Sequence, residues 1–138
     1  MRRLTAGERA FLKNPFVGTI TDLRPDGSPH TTVVWVDVDD YGEVSFNTAH
    51  GRAKPRFITD DPRVSLTVVD PGDPYRWISI SGTATLVDEG ADEHIDRLAK
   101  KYIGQDKYPF RAPDEQRVSV RIAPTTIESR GLDEKGSG

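Results

Sequence analysis

The sequence predicts a mainly β protein, an antiparallel barrel that carries two or three short helices. Short runs of β-branched and aromatic residues recur along the chain, and turn-forming residues separate them. Segments with helical periodicity are few, so the regular alternation of strands and helices that is typical of a parallel α/β sheet is missing. Closing the sheet into a barrel would also remove exposed strand edges.

The first elements are predicted from capping and turn signals. Thr5 and Glu8 have the spacing of a helix capping box, which predicts a short helix that runs to about Lys13 and ends at Asn14-Pro15. A Pro-Asp-Gly turn at 25–27 separates two β runs, since Pro presets φ and Gly accepts a positive φ. We expect strands over residues 16–23, 30–39 and 43–47.

The second half of the chain contains two further helical segments. Residues 52–59 have helical character with Pro55 in the first turn, where proline is tolerated. Ile95, Leu98 and Tyr102 are spaced as one face of a helix over 91–102. Gly82, inside a strand pattern, indicates a bulge. We expect strands over residues 63–69, 77–87, 118–122 and 125–129, with a polar loop over 104–116.

Length and composition limit the function classes. The 138 residues fit one domain, which we expect over 1–132, with a flexible tail at 133–138. The net charge of −3 argues against general nucleic-acid binding, which requires a basic surface. No apolar run is long enough to span a bilayer, and no signal-peptide stretch follows the basic start. We expect a cytoplasmic protein without a membrane partner.

The sequence lacks the residue patterns of several common catalytic sites. His30, His50 and His94 stand far apart, and no zinc-ligand spacing occurs, so no metal site is predicted. The glycine patterns of nucleotide-binding loops and of a serine nucleophile are also missing. We therefore predict no catalytic side chain and expect a bound cofactor to supply the reactivity. His94, on an amphipathic helix, is expected at the surface.

The segment that follows the third predicted strand and opens the second helix is the most informative. Main-chain N–H groups at a helix start attract anions, and Arg52 and Lys54 would add charge-assisted hydrogen bonds. Asn47 and Thr48 stand at the strand end, where small polar groups can reach a ligand. These features predict a phosphate or carboxylate site. The alternative interpretation is a solvated basic helix start, neutralised by the acidic pair at 60–61.

Five motifs occur in one order along the chain. They are Gly-Thr-Ile-Thr-Asp-Leu-Arg-Pro-Asp-Gly-Ser-Pro-His at 18–30, Gly-Arg-Ala-Lys-Pro-Arg at 51–56, Asp-Asp-Pro-Arg-Val-Ser-Leu at 60–66, Asp-Pro-Tyr-Arg-Trp at 73–77 and Ile-Ser-Gly-Thr-Ala at 80–84. In this order they resemble the pyridoxamine-phosphate-oxidase-like split-barrel superfamily, and the resemblance extends over residues 16–130. The resemblance implies a six-stranded antiparallel split β-barrel that binds a flavin-type cofactor at a homodimer interface.

Within that superfamily the chain most resembles the actinobacterial reductases that use the deazaflavin coenzyme F420. FMN-dependent members usually carry an Arg and a Lys on the strand after the first hairpin, and residues 31–38 contain neither. The resemblance implies hydride transfer from reduced F420 to a small, electron-poor substrate of quinone, enone or tetrapyrrole type. An FMN-dependent oxidoreductase of the same fold and a non-catalytic flavin or deazaflavin carrier are the alternatives.

The resemblance also implies where the cofactor lies. Its phosphate is expected on Arg52 and Lys54, in the helix start that also contains Ala53, Pro55 and Arg56. Further residues are expected around the ring and on the opposite side of the cleft. These are Asn47 and Thr48 beside the phosphate, the main chain of Thr32 and Val33 against the deazaflavin, and Tyr75, Arg76 and Trp77 from the second protomer.

The strand after the first hairpin supports the dimer prediction independently. Thr31, Val33 and Trp35 form one face, whereas alternate valines form the other, so both faces are largely apolar and both should be covered. Two assignments stay open on this evidence. His30 is either a plain strand residue or a neighbour of the ring, and loop 105–116 is either ordinary surface or a substrate lid.

Overall fold

The computed structural model describes residues 2–132 of the chain. Within them, seven antiparallel strands form one sheet in the order β2-β1-β5-β6-β7-β4-β3. The strands are β1 (Gly18–Leu23), β2 (Pro29–Val34), β3 (Asp37–Val38), β4 (Val44–Ala49), β5 (Arg63–Asp70), β6 (Asp73–Val87) and β7 (Arg117–Arg130). Three helices accompany them: α1 (Ala6–Leu12), α2 (Ala53–Asp60) and α3 (Ala91–Ile103). The predicted tail at 133–138 lies outside the described residues.

The mainly β, antiparallel fold is confirmed, but the predicted number of six strands is wrong. The run expected as one strand over 30–39 is divided into β2 and β3. The division falls at Val36, whose main-chain N–H donates to the hydroxyl of Tyr102 at 2.9 Å. Its carbonyl oxygen accepts from Nζ of Lys101 at 2.5 Å. Because these side chains of α3 bind the main chain of Val36, it does not enter the strand ladder.

The last strand also differs from the prediction: two segments predicted as separate strands are joined into one. The segments 118–122 and 125–129 form the single long strand β7, which pairs with β6 along its length. A register shift between Ser81 and Gly82 leaves Thr125 without a Cα partner on β6, beside Pro124, which has no N–H to donate. A Cβ on Gly82 would lie 2.0 Å from the carbonyl oxygen of Ala123. The bulge predicted from Gly82 is therefore confirmed.

Helix α1 begins with the predicted capping box. The main-chain N–H of Glu8 donates to the hydroxyl of Thr5 at 3.0 Å, and the N–H of Thr5 donates to the Glu8 carboxylate at 2.9 Å. The same carboxylate, only 2% exposed, also accepts from Arg2 and from Ser129. Burial alone would raise the pKa of Glu8, but these hydrogen bonds and the charge of Arg2 lower it to about 2. Glu8 thus joins the N-terminal helix to β7.

The two faces of β2 and β3 have different surroundings. Val34, Val36 and Val38 are buried in the barrel core, whereas Thr31 is exposed and Val33 is 65% exposed. One apolar face therefore packs in the core of the chain. The other face is exposed to solvent in the single chain. None of the helices among residues 2–132 is long and apolar enough to cross a membrane. The largest fully buried core side chains are Phe11, Leu12, Ile20, Phe46, Leu66, Ile78, Ile80 and Leu98.

Candidate functional site

A cleft of about 230 Å³ lies between β2 and β4. Five of the predicted cofactor residues line it, namely Val33, Asn47, Thr48, Arg52 and Lys54. The remaining walls come from Val17, Val34, Trp35, Ile95, Leu98, Tyr108, Phe110 and Arg117. A larger groove of about 560 Å³, lined by the N-terminal residues and the β3–β4 turn, contains none of the predicted residues.

Two cations stand at the start of α2, as predicted. Arg52 is the N-terminal cap residue of the helix, and its side chain is 53% exposed. Burial lowers the pKa of Lys54 below its ordinary value; the charge of Asp22 opposes this shift and the charge of Arg52 adds to it. Lys54 makes no ion pair with a carboxylate of residues 2–132. An anion placed between the two side chains would relieve their repulsion and the cost of burying Lys54.

The alternative interpretation of this helix start does not match the observed partners. Asp61 pairs with Arg63 at 2.7 Å, on the far end of α2. Arg52 instead donates from Nη2 to Oε2 of Glu115 at 3.3 Å. Glu115 belongs to the loop that follows α3, so the start of α2 is tied to that loop by a partly exposed ion pair.

One of the cleft-lining residues has a hydroxyl without a partner. Thr48 is 2% exposed, and its Oγ1 makes no hydrogen bond within residues 2–132. The same is true of Oγ1 of Thr32, on β2. A buried polar atom without a partner is costly, so the hydroxyl of the cleft-lining Thr48 is available to a ligand. Because β2 is an edge strand, some main-chain N–H and C=O groups in the segment of Thr32 and Val33 face away from β1 and have no partner strand.

Arg117 is a cleft residue that the sequence analysis missed. It lies at the first position of β7 and is 4% exposed. Its Nε donates to Oδ1 of Asn47 at 2.8 Å, and its Nη1 donates to Oε1 of Glu115 at 2.6 Å. Nη2 has no hydrogen-bond partner within residues 2–132. The sequence contains one indication of its role, an arginine directly before an apolar strand. Arg117 falls between the predicted loop over 104–116 and the predicted strand from 118, so it was assigned to neither.

Aromatic side chains form the wall on the side of the loop. Trp35 stacks on Tyr102 with 5.4 Å between ring centroids and an interplanar angle of 9°. Tyr108 meets the Trp35 ring edge-on at 6.0 Å, and Phe110 packs against Tyr108 at 5.7 Å. The main-chain N–H of Tyr108 donates to Asp96 of α3 at 2.8 Å, which holds the loop on the helix. Loop 105–116 is therefore part of the cleft wall.

Other predicted cofactor residues lie outside this cleft. Pro55 and Arg56 line a separate groove of about 260 Å³ on the other side of α2. Ala53 is half-buried at the helix start and lines neither opening. On β6, Arg76 is paired with Asp70 at 2.7 Å. The exposed Tyr75 and the half-buried Trp77, its neighbours on β6, are also absent from the cleft of their own chain.

The three histidines have different surroundings, and one of them departs from the sequence expectation. Nδ1 of His30 donates to the 1% exposed carboxylate of Asp22 at 2.8 Å, so a histidine–carboxylate pair stands on β1 and β2. His94 is 3% exposed, and its expected surface position is wrong because its face of α3 packs on β4 and β7. His50 pairs with Asp88 at the surface. Among residues 2–132, no three metal-ligating side chains come together.

Comparison with known proteins identifies the family. A family model described as pyridoxamine 5'-phosphate oxidase matches residues 4–131. The chain belongs to this family. The family assignment that the ordered motifs predicted is therefore confirmed. In this family member, the residues predicted to bind the phosphate line the cleft between β2 and β4.

Individual relatives of this family member are similar over most of their length. The F420H(2)-dependent biliverdin reductase of Mycobacterium tuberculosis is 28% identical over 120 residues, which are 87% of this chain and 83% of that protein. The structure of an F420 reductase superposes with a TM-score of 0.77 at 28% identity, covering 91% of this chain and 98% of the other. The conserved hypothetical protein Rv2991 from Mycobacterium tuberculosis superposes with a TM-score of 0.73 at 25% identity, covering 99% and 93%.

Proposed function

We propose that this protein is an F420-dependent oxidoreductase that reduces a small, electron-poor substrate. The observation that carries the proposal is the cleft in which Arg52, Lys54 and Arg117 converge beside an apolar and aromatic wall. A phosphate-bearing, planar ring system is complementary to both halves of such a cleft. The two relatives whose names include F420 support the choice of this coenzyme over other phosphate-bearing rings.

The residues of the cleft fit coenzyme F420. Lys54 is partly desolvated and has no carboxylate partner within residues 2–132, which suits it to a phosphate oxygen. The unpartnered hydroxyl of Thr48 offers a further hydrogen bond. Val33 and the edge of β2 provide an apolar surface with free main-chain groups for the ring. The absence of Arg and Lys from residues 31–38 disfavours the FMN alternative.

Bound reduced F420 would supply the hydride for the reaction. The protein's own side chains would bind the phosphate through Arg52 and Lys54 and orient the ring against β2. The aromatic wall of Trp35 and Tyr108 would exclude water from the reacting faces. Holding donor and acceptor in line can supply roughly 7–11 kcal/mol of the barrier, so no acid or base of the protein is required. A proton for the product would come from solvent.

We further propose that two chains complete each cleft. The cleft of one chain, about 230 Å³, is smaller than the ~300–1,000 Å³ of ordinary ligand sites. Val33 at its rim is 65% exposed, and Tyr75 is 76% exposed on a different part of the sheet. A homodimer that places Tyr75, Arg76 and Trp77 of the partner against the Val33 side would cover both apolar surfaces and enlarge the cleft.

The aromatic wall supports a planar, conjugated substrate. Trp35, Tyr108 and Phe110 offer flat apolar surfaces close to the cations, and aromatic rings pack favourably on one another. Quinones, enones and tetrapyrroles share this planarity and an electron-poor conjugated system. The proposal therefore includes these three classes as acceptors.

Cofactor choice and catalysis can be tested in one series. Purified protein is titrated separately with F420 and with FMN, and binding is followed by the fluorescence and absorption of each cofactor. Reduced F420 is then mixed anaerobically with the protein and with a quinone, a cyclic enone or biliverdin, and its oxidation is recorded. We expect binding of F420 in preference to FMN, and protein-dependent oxidation with at least one acceptor.

The other outcomes separate the alternatives. Preferential binding of FMN would replace the proposal by the FMN-dependent oxidoreductase. Tight binding of F420 without turnover of any of the three acceptor classes would indicate a carrier. Absence of binding by both cofactors would refute the assignment of the cleft.

A further inference from the structure

The buried His94 belongs to a hydrogen-bonded chain that reaches the cleft. His94 lies on α3, and its imidazole contacts side chains of β4 and β7. Its Nδ1 is 3.2 Å from Nδ2 of Asn47 and 2.8 Å from Oγ of Ser119. Its Nε2 is 3.0 Å from Oγ of Ser45 and 3.3 Å from Oδ2 of Asp37. His94 itself does not line the cleft, so any role in binding must act through a neighbour.

The orientation of the Asn47 amide is determined by its other two partners. Its Nδ2 lies 2.9 Å from the main-chain carbonyl of Ala91, which can only accept a hydrogen bond. Its Oδ1 lies 2.8 Å from Nε of Arg117, which can only donate. Exchanging the amide oxygen and nitrogen would place like groups together at both contacts. The second hydrogen of Nδ2 therefore points to Nδ1 of His94.

This orientation assigns the tautomer of His94. Because Nδ2 of Asn47 donates, Nδ1 must be the unprotonated, accepting nitrogen of the imidazole. The proton of the neutral ring is then on Nε2, where the hydroxyl of Ser45 and the carboxylate of Asp37 can accept it. Burial would raise the pKa of Asp37, but the hydrogen bonds that it accepts from His94 and Arg97, together with the charge of Arg97, lower it, so this acceptor is ionised at neutral pH. In this arrangement the hydroxyl of Ser119 also donates towards Nδ1, whose single lone pair is shared between Ser119 and Asn47.

We infer that His94 is a positioning residue for the anion site, acting through Asn47 on Arg117. The inference rests on the proposed function, since it concerns the residues that would hold the F420 phosphate and ring. Asn47 holds Nε of Arg117, Glu115 holds Nη1, and Nη2 is left without a partner within residues 2–132. Glu115 continues the chain to Arg52. Without an acceptor at Nδ1, the Asn47 amide loses one of its three contacts, and its hold on Nε of Arg117 is weakened.

The tautomer is tested on the wild-type protein without any cofactor. Nitrogen-15 NMR of the protein labelled at histidine distinguishes protonated from unprotonated ring nitrogens. We expect Nδ1 of His94 to be unprotonated and Nε2 to be protonated at neutral pH. A protonated Nδ1 would overturn the inference, whether or not the protein binds F420.

The positioning role is tested with two matched substitutions at the same buried site. In His94→Asn, the amide oxygen can take the place of Nδ1 and accept from Asn47, whereas in His94→Gln the amide nitrogen takes the place of Nε2. We expect His94→Gln to weaken F420 binding by about tenfold and His94→Asn to stay within about threefold of wild type. The Nε–H of Arg117 should exchange with solvent faster in His94→Gln than in His94→Asn, with no cofactor present.

Ser45→Ala provides the matched control. It removes a partner of the same imidazole, on the Nε2 side, and leaves Asn47 untouched. We expect F420 affinity within about twofold of wild type, because no fixed contact of Arg117 is lost. Equal loss of affinity in the two His94 variants, or equal exchange of the Arg117 Nε–H, would refute the positioning role. Failure of wild-type protein to bind F420 would refute the proposed function instead, while the NMR measurements would still decide the link from His94 to Arg117.

Discussion

The guanidinium of Arg117 is bound to the carboxylate of Glu115, with 2.6 Å between Nη1 and Oε1. Burial would raise the pKa of Glu115, but the hydrogen bond and charge of Arg117, together with the charge of Arg52, lower it. The ionised Glu115 thus stands between two arginines that line one cleft. A phosphate that enters the cleft would share these cations with a carboxylate already in place.

The double substitution Arg52→Ala with Lys54→Ala is expected to weaken F420 binding by about a hundredfold or more. Each charge-assisted hydrogen bond to the phosphate contributes roughly 1.5–3 kcal/mol, and 1.4 kcal/mol corresponds to a factor of ten. Fluorescence titration with F420 measures the change. Arg63→Ala with Lys100→Ala removes the same charge from exposed ion pairs elsewhere and should leave the affinity within about threefold. Unchanged affinity in the folded Arg52/Lys54 variant would contradict the phosphate assignment.

The substitution His30→Ala is expected to lower the rate of hydride transfer by less than about tenfold, because His30 does not line the cleft. Removing a general acid or base would cost more, since such catalysis typically contributes ~10²–10⁴-fold. Single-turnover oxidation of bound, reduced F420 by an accepted substrate measures this rate. The same variant should lose about 1–3 kcal/mol in the free energy of unfolding, because the 1% exposed Asp22 loses its partner. A hundredfold slower rate with intact cofactor affinity would make His30 a catalytic acid.

The stability of the protein is expected to fall between pH 4.5 and pH 2 through Glu8. The pKa of Glu8 is lowered from 4.5 to about 2 in the folded chain, so its contribution is complete above 4.5 and is lost as the pH falls towards 2. Glu8→Gln should lower the free energy of unfolding at pH 7 by about 2–3 kcal/mol. Urea unfolding at pH 7, 4 and 2.5 should show the difference from wild type shrinking with acidity. Asp40→Asn, which removes an exposed pair with Lys13, should change stability by at most about 0.5 kcal/mol.

The protein is expected to be a homodimer at micromolar concentration, with a light-scattering mass twice that of the chain. Val33→Lys should raise the dimer dissociation constant by at least about tenfold, because burying a valine contributes roughly 1.5–3 kcal/mol and a two-fold interface contains it twice. The same variant should weaken F420 binding. Tyr41→Lys changes another exposed side chain, at the β3–β4 turn, and should remain dimeric. A well-folded wild-type monomer would rule out the shared cleft.

Local features of this fold were predictable because the interacting residues are close in the chain. The capping box joins Thr5 and Glu8, three positions apart, and it was confirmed. The bulge at Gly82 was also predictable, since a residue without a side chain inside a strand pattern has few other causes. Arg52 and Lys54 fall together at a helix start for the same local reason.

The departures from prediction come from contacts between distant residues. Val36 leaves the strand ladder because its N–H donates to the hydroxyl of Tyr102, 66 positions away, and its carbonyl oxygen accepts from Lys101. No local pattern in residues 30–39 contains that information. The β propensity of the run was correct, and the docking of α3 decided where it is interrupted.

The sequence by itself determined the family, the antiparallel β architecture and the position of two cations at a helix start, because these depend on short motifs and local periodicity. Only the tertiary structure decided that His94 is buried and that Arg117 enters the cleft. Asn47 and Arg117 are 70 positions apart and meet because β4 and β7 are neighbours in the sheet. A polar side chain's environment depends on which strands become neighbours, and that choice is made by packing over the whole chain.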